Sequence, residues 1–576
     1  MTGTVRPSAE ARRSFPHMAA TSLAAIIDSL ALLLLFLLAF ILVTGGGRYD
    51  LLGVRVSVRT VANPLLALHA VLLIRYSASK EVPLFGRARL TPARIATWSL
   101  HLCQGVSTAL ARMPVRRAAT TVLLIIAVTT LVKLANAAFY PGFFSGDDVE
   151  IHEMTFVSLF GMDWPVWDLR SPFYPMTVIY PVQRLAVWAG VTETQPLVFL
   201  GRAVVAVLSS IAVWLIYKAG AALDDPGTGL LAAATFAIQR LHVVFGGSEL
   251  PRPVSTIFVA GAFVCLLQRS PRASGALTAG ALLAVGGCLR YSELVFILPA
   301  VVVLAIDRRR RDILSMLCAF ALTAGAILAI SDAVYWGEPF FSLRNILRYT
   351  LVDRLSSRGY EPLLHYLAAL PSWTSIPVAL LAAYGAWLGN WRPAVWWLLP
   401  LILLSLLPHK EPRYLIPLLP FVSLNAAQGL REVLRSLRED AGFVRRIEKD
   451  TVALALVVLC AGAVIFEVGG WRFLKETEPL TVARYVHDQG CRRAVGIEQA
   501  WRAGGQLYLR SCRVVDVYAP AADRARLLPE WIEKPDFQWV VLREPISDQL
   551  RRDLLESGSF REVDVPGAPS HFVMRR

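Results

Sequence analysis

Leu401-Ile402-Leu403-Leu404-Ser405-Leu406-Leu407-Pro408-His409-Lys410-Glu411-Pro412-Arg413-Tyr414-Leu415-Ile416-Pro417-Leu418-Leu419 sets two leucine-rich runs around one dense polar cluster. Similar apolar runs recur along the chain, and a membrane helix needs about 20 mostly apolar residues. Candidate spans fall at 22–44, 60–75, 118–137, 197–217, 228–246, 253–268, 275–290, 292–306, 313–331, 373–389, 394–408, 413–428 and 451–469, about thirteen in all. Composition agrees: of 576 residues 55% are hydrophobic and 18% charged, with a mean hydropathy of +0.51, against roughly 25% charged residues in soluble proteins. The expected fold class is therefore a polytopic α-helical membrane protein.

Lys and Arg number 58 against 43 Asp and Glu, a formal charge of +15. In a membrane protein such an excess marks cytoplasmic loops facing anionic lipid, so no nucleic-acid partner is expected. With a cytoplasmic N-terminus, Arg6, Arg12 and Arg13 fall inside, followed by Lys80, Arg87, Arg89, Arg94, Arg112, Arg116 and Arg117. Later inside loops carry Arg269 and Arg272, the arginines of 308–311, then Arg431, Arg435, Arg438, Arg445, Arg446 and Lys449. The plain reading of each cluster is topogenic. The apolar run after Arg13 is too long for a signal h-region, so no cleavable signal is expected. Residues 94–113 are amphipathic, with Ile95, Trp98, Leu102, Val106 and Leu110 at helical spacing, and suit the cytoplasmic membrane surface.

This alternation puts 138–196, 332–372 and everything after about 470 outside. Three regions follow: 1–117 with extra membrane helices and a basic cytoplasmic segment, 118–469 as the main membrane unit, and 470–576 as an external domain. The last region alternates helix signals at 478–489, 500–509 and 547–557 with strand signals at 493–497, 513–518, 538–543 and 561–565, the pattern of a small α/β domain. The seven cysteines show no zinc or CxxC spacing. Cys491 and Cys512 both fall in the external domain just before strands, placed to pair in an oxidising compartment.

Long polar loops on a many-span protein form a working face, since irregular backbone must reach water or be covered. The first loop opens Ser145-Gly146-Asp147-Asp148-Val149-Glu150-Ile151-His152-Glu153. Acids at a membrane exit must be hydrated, paired or functional. Ser145 and Asp147 suit an N-cap, and acids favour the positive end of a helix dipole, so capping and catalysis both remain open. Downstream, Trp164, Trp167, Asp168, Arg170, Ser171 and Tyr174 mix aromatics with charge, as a polar-ligand site or an interfacial aromatic belt does. In the 408–414 cluster the cations sit on the side where positive charge is disfavoured, so they need a partner: an external phosphate, or a carboxylate such as Glu411. Two more cationic turns share that face, Ser248-Glu249-Leu250-Pro251-Arg252-Pro253 and Arg290-Tyr291-Ser292-Glu293, each able to close as a structural ion pair.

These residues resemble the glycosyltransferase family 22 mannosyltransferases, lipid-phosphomannose-dependent enzymes that extend GPI anchors and N-glycan precursors. That family opens its first lumenal loop with His-Pro-Asp-Glu, where this chain has Ser145-Gly146-Asp147-Asp148, followed by Glu153, Phe160-Gly161 and Arg170-Ser171. Its His-Lys-Glu-Glu-Arg-Phe hallmark is similar to His409-Lys410-Glu411-Pro412-Arg413-Tyr414, and its last long loop to Asp332, Tyr335, Gly337, Phe340 and Asn345. The resemblance covers about 118–428. The missing His-Pro, Asp148 in place of Glu and Pro412 in place of Glu leave the acceptor less defined than the reaction type.

The resemblance implies a GT-C-like fold and an inverting transfer of mannose from a polyprenyl-phosphate donor to a lipid or glycan hydroxyl at the bilayer's external face. Such a transfer needs a base, a stabilised oxocarbenium-like sugar and cations for the departing phosphate. Asp147 is then the base, Asp148 its nearest competitor, and Glu153 a sugar-orienting group. His409, Lys410 and Arg413 bind the lipid phosphate, helped by Arg252 and Arg290. Arg170, Trp164, Trp167, Tyr174, Glu249, Asp332 and Glu411 complete the substrate-binding set. No metal or other cofactor is expected. Two alternatives stand beside this reading: a GT-C transferase using another polyprenyl-phosphate sugar of the aminoarabinose type, and a transporter or flippase, which the span-end placement of the charges and the lack of an inverted repeat disfavour. Arg over Lys and abundant Ala point to a GC-rich bacterium, hence a plasma membrane with the site facing the periplasm or exterior. A free-thiol titration of the unreduced protein tests the cysteine pair: both thiols free would remove it.

Overall fold

A computed structural model describes residues 9–576 except 45–46, 52–53, 59, 81, 85–90, 163, 165, 268–273, 353–360, 389–390, 440–447, 472–476, 498–499, 518–536 and 544–547. Arg6, Arg87, Arg89, Arg269, Arg272, Arg445 and Arg446 thus lie outside the described residues, as do Tyr518 and Ser547 at the ends of two expected elements.

The N-terminal helix α1 (Ala9–Thr44) is followed by a hairpin, β1 (Gly47–Leu51) and β2 (Val54–Val58), paired antiparallel with Tyr49 opposite Val56. Helix α2 (Ala62–Ser79) returns along α1, and a buried ion pair, Arg75 Nε to Asp28 Oδ1 at 2.7 Å, locks the two together. Helix α3 (Pro92–Ala111) starts at Pro92 with the Thr91 hydroxyl accepting Arg94 N at 3.3 Å. Its small face, Ala96, Ser99, Cys103 and Ser107, is buried, while Trp98, Leu102 and Val106 stay exposed. Three residues of the expected stripe thus point away from the protein, while its last, Leu110, is buried against Val433, Leu434 and Leu437.

From there the chain is helical through α4 (Val115–Phe139), α5 (Gly146–Phe160), a π-helical turn (Pro175–Ile179) running into α6 (Tyr180–Trp188), and α7 (Thr194–Leu223). Next come α8 (Pro226–Ile238), α9 (Arg240–Gly246), α10 (Arg252–Leu267), α11 (Ser274–Leu289), a 3₁₀ turn (Tyr291–Phe296) into α12 (Ile297–Ile306), and α13 (Arg310–Trp336). The remainder is α14 (Phe341–Leu347), α15 (His365–Ala368), α16 (Ile376–Trp387), α17 (Trp391–Ser405), a 3₁₀ turn (Pro412–Leu418) into α18 (Leu419–Glu439), and α19 (Lys449–Gly469).

Helix forms over every one of the thirteen apolar runs, but not always as a straight span. Among the described residues five helices are long and apolar enough to cross a membrane, six if the bent pair α8–α9 counts as one. That pair corrects the single helix expected at 228–246: it breaks by 59° at Gln239, whose ψ of 123° leaves the helical region. The buried Glu467 carboxylate then accepts Arg240 N at 2.9 Å and Ser375 N at 2.8 Å, satisfying backbone donors that the break exposes. The runs at 292–306 and 413–428 likewise begin as 3₁₀ turns, and α18 continues to Glu439 because its second half is amphipathic rather than apolar.

Helices α16 and α18 meet at glycines. A Cβ on Gly385 would lie 2.0 Å from Asn425 O, and one on Gly429 2.2 Å from Leu381 O. Backbone contact of this kind is a main source of helix association in lipid, where no hydrophobic effect drives helices together.

After α19 the chain forms α20 (Glu478–Asp488), β3 (Arg493–Ile497), a 3₁₀ turn (Gly505–Tyr508), β4 (Arg513–Val517), β5 (Trp539–Arg543), α21 (Asp548–Glu556), β6 (Arg561–Val563) and β7 (His571–Arg575). The sheet order is β4-β3-β5-β7-β6, with β3 parallel to β4 and β5, and β7 antiparallel to β5 and β6. Strand β7 had no signal in the sequence reading; it gains its place by pairing Trp539 with Arg575 through Arg543 with His571. The helix expected at 500–509 shrinks to the 3₁₀ turn because Gly504 sits at φ +98°, outside any helix. Cys491 and Cys512 form a disulfide.

Gly385→Val should collapse the α16–α18 crossing: overpacking against backbone typically costs about 1–3 kcal/mol. The expected result is a lowered thermal midpoint of the detergent-solubilised protein; an unchanged midpoint would mean the helices part without penalty.

Candidate active site

Helix α5 begins where Ser145 is extended (φ −163°, ψ 172°). Its hydroxyl does not cap the helix as expected. The bond runs the other way: Asp148 accepts Phe144 N at 2.9 Å and the Ser145 hydroxyl at 3.3 Å, folding the chain back on the helix start. Two acids in succession on a helix diverge by about 100°, so Asp147 and Asp148 meet different surroundings although both are buried.

Asp147 lies where three arginines from separate stretches converge. Arg170 Nη2 donates to its Oδ1 at 2.6 Å, Arg413 Nη2 lies 3.0 Å from Oδ2, and Arg290 Nη2 lies 4.0 Å from Oδ2. Arg170 also pairs with Glu150, and Arg413 with Glu411; Arg413 Nη1 donates to the Ser145 hydroxyl at 2.9 Å, across 268 residues of sequence. Beyond them Arg252 stacks 4.3 Å above the Tyr414 ring, its Nε 3.7 Å from Glu293 Oε1. The buried Arg252 Nε and Nη1 make no hydrogen bond among the described residues.

A cavity of about 420 Å³ opens beside this cluster. Arg170, Arg252 and Arg290 line it, with Trp167, Tyr174 and Tyr414, and so do Leu289, Leu343, Ile346, Leu347 and Leu407. A cavity lined by both arginines and leucines suits an amphiphilic anion. Of the three arginines around Asp147, Arg290 stands farthest from its carboxylate, 4.0 Å from Oδ2. Burial raises Asp148 to about 7, helped by the charge of Glu249 and opposed by Arg413. Among the described residues no three His, Cys, Asp or Glu side chains are grouped to hold a metal ion.

The structure brings Asp147, Arg170, Trp167, Tyr174, Arg252, Arg290, Glu411 and Arg413 together and sends other expected residues elsewhere. Trp167 lies under the Arg170 guanidinium at 5.3 Å, and Tyr174 donates its hydroxyl to Glu249 O at 2.7 Å. His409 pairs with Glu411 at 3.1 Å. Lys410, expected on the donor phosphate, instead donates to the carbonyls of Glu361 and Leu407 at 2.8 and 2.6 Å, because those carbonyls bend back over it at the loop. Glu153, expected to orient the sugar, accepts from Gln506 of the C-terminal region, since its position on α5 faces that way. Trp164 packs in the apolar cluster of Phe143, Phe156 and Leu480 rather than at the cavity.

Asp332 belongs to the last turn of α13 rather than to a loop, and accepts Ser342 N at 2.9 Å and the Ser342 hydroxyl, tying down the start of α14. The two cationic turns exchange partners as well. Arg252 reaches Glu293 of the other turn, and Glu249 is taken by Arg202 at 2.9 and 3.1 Å. Arg202 was missed by sequence reasoning, yet a lone arginine inside the 30-residue apolar helix α7 is itself the signal. Lys133 in α4 is a second such residue: fully buried, it donates to the Ser209 and Ser210 hydroxyls and to His242 Nε2 at 2.9, 3.2 and 2.9 Å.

Comparison with known proteins places these contacts in a context. The profile of the Alg9-like mannosyltransferase family matches residues 148–483. GPI mannosyltransferase 3 of Yarrowia lipolytica is 33% identical over 111 residues, 18% of this chain and 21% of that protein, so the match spans about a fifth of that relative's length. Among solved structures, ArnT from Cupriavidus metallidurans in the apo state aligns with a TM-score of 0.54 at 13% identity, covering 79% of this chain and 97% of its own. The same enzyme bound to undecaprenyl phosphate aligns at 0.52 and 12% identity, over 79% and 98%. The likeness to ArnT is one of fold.

The raised Asp148 predicts a pH effect on stability. Between about pH 4 and about pH 7 the native state holds a proton that the unfolded chain has released, so stability falls as pH rises through that window. Asp148→Asn should flatten this fall in the thermal midpoint; an identical pH profile in variant and wild type would place the carboxyl in an ordinary environment.

Proposed function

The chain belongs to the Alg9-like mannosyltransferase family, a membrane glycosyltransferase family, and from that premise we propose that it moves a mannosyl residue from a polyprenyl-phosphate donor to a hydroxyl of a cell-envelope lipid or glycan. The observation that carries this reading is the junction of Asp147 with Arg170, Arg290 and Arg413, of which Arg170 and Arg290 also line a cavity that several leucines share. In the proposal the prenyl chain follows those leucines and the donor phosphate meets Arg252, Arg290 and Arg413.

As it stands, both oxygens of Asp147 are taken, Oδ1 by Arg170 at 2.6 Å and Oδ2 by Arg413 at 3.0 Å. A donor phosphate competes for the same cations; Arg290, 4.0 Å away, turns to it without leaving a hydrogen bond behind. Arg413, drawn to the phosphate in turn, frees a lone pair on Asp147 Oδ2. Asp147 then takes the acceptor hydroxyl proton as the acceptor oxygen bonds to the anomeric carbon from the face opposite the phosphate, giving inversion. The bond from that carbon to the phosphate oxygen breaks, and the arginines receive the lipid monophosphate. Asp148 serves the helix start and is the reserve candidate for base. Lys410 holds the loop rather than the phosphate. The proposal needs no metal, since cations already face the leaving group.

The wider frame is proposed with it. It has thirteen crossings, the three regions at 1–117, 118–469 and 470–576, an external α/β domain, and a bacterial plasma membrane with the site on the periplasmic or exterior side. The positive-inside pattern supports that sidedness.

Purified protein given radiolabelled polyprenyl-phosphate-mannose and a total lipid and glycan extract should label a new product, with or without EDTA. Asp147→Asn should lower turnover by about 10²–10⁴-fold while donor binding persists. Label from another polyprenyl-phosphate sugar alone would replace mannose; no transfer from any such donor by folded protein would overturn the reading, and loss with EDTA would restore a metal.

A further inference from the structure

The side of α5 that Glu153 occupies is gripped by the C-terminal region. Gln506 Nε2 donates to Glu153. A Cβ on Gly146, the first residue of α5, would lie 3.3 Å from Arg502 Nε, so that side chain covers the helix start. Gly504 lies against the Phe143 ring just before α5: a Cβ there would fall 2.3 Å from it, and φ is +98°, so glycine is required on both counts. Leu480 and Leu507 share one apolar cluster with Phe143, Val149, Phe156 and Leu159. At the far end of α5 the Arg510 guanidinium stacks 4.3 Å from the Phe160 ring and 5.6 Å from Phe156. Thr194 at the start of α7 donates to Leu507 O at 3.0 Å. The gripping segment is itself closed by the Cys491–Cys512 disulfide, which ties its end to the start of β3.

We propose that residues 500–512, tethered by this disulfide, form a clamp that positions α5 for catalysis, with Gln506 acting on Asp147 through Glu153. The inference rests on the transferase reading for its kinetic test. Arg170 and Arg413 pull α5 by charge at Asp147 and Glu150, and the clamp, holding Glu153 and the helix start, sets how far it can move. Without the clamp α5 follows the arginines, and Asp147 leaves the place where it meets an acceptor hydroxyl. Misplacement of a catalytic group by about 1 Å can cost about 10²-fold in rate. Gln506 is a positioning residue, and reduction of the disulfide acts on the same contact from a distance.

The test is a cycle of Gln506→Glu, Glu153→Gln and the double exchange, in the full-length protein, read as kcat and donor KM. Each single variant should lower kcat at least tenfold with donor KM within about threefold, because the donor's arginines are untouched. The double exchange, which restores a donor–acceptor pair, should recover most of the loss. Independent single effects, or equal loss in KM, would overturn the positioning role.

Hydrogen exchange of the intact protein gives a second readout that needs no activity. Reducing the disulfide, checked by two additional titratable thiols, should speed exchange at residues 146–153 and leave the α16–α18 crossing unchanged. Unchanged exchange at 146–153 would overturn the clamp. If wild type transfers no sugar while this exchange response is present, the transferase reading fails and the clamp stands.

Discussion

A carboxylate and guanidiniums buried together are tolerable only if each charge is answered, and the polar turns of this protein converge on that condition at Asp147, where Arg170 and Arg413 are buried with it and Arg290 is partly exposed. Arg170 comes from the first long loop, Arg290 from the turn before α12, and Arg413 from the turn before α18. Breaking a buried pair by removing one partner typically costs about 3–5 kcal/mol, so these segments hold one another in place. The junction is incompletely neutralised all the same: Arg290 stands 4.0 Å away from the carboxylate, and among the described residues Arg252 keeps buried donors without hydrogen bonds. A protein that needed the cluster only for stability would gain by closing those contacts. Leaving cations unanswered beside a leucine-lined cavity favours the entry of an amphiphilic anion.

Two other buried charges are closed. Arg202 spends its donors on Glu249 and on the carbonyls of Tyr140, Pro141 and Gly142, which fixes the chain leading into α5. Lys133 is answered by two serines and a histidine. The contrast between these closed sets and the open junction at Asp147 is what singles out the working site.

The membrane class, the positions of the helices and the cysteine pair were legible in the sequence, because each depends on local properties: run length, charge sign and the spacing of punctuating residues. The start of α5 could be placed from Ser145 and its acids, although the capping bond itself ran from Asp148. Where helices broke or began as 3₁₀ turns, at Gln239, Tyr291 and Pro412, hydropathy had no signal to offer, since apolar content is the same on either side of a bend.

Pairing lay beyond the sequence. Nothing local distinguishes Lys410, folded onto carbonyls, from Arg413, aimed at Asp147, or says that Arg252 meets Glu293 while Glu249 meets Arg202. Nor does composition reveal that Glu153 turns toward Gln506, 353 residues further on. The sequence by itself determined that charges beside apolar spans must be paired or reach water, since lipid does not solvate them. Only the tertiary structure decided which charge answers which, because an ion pair forms at a few ångströms, a scale that no spacing along the chain encodes.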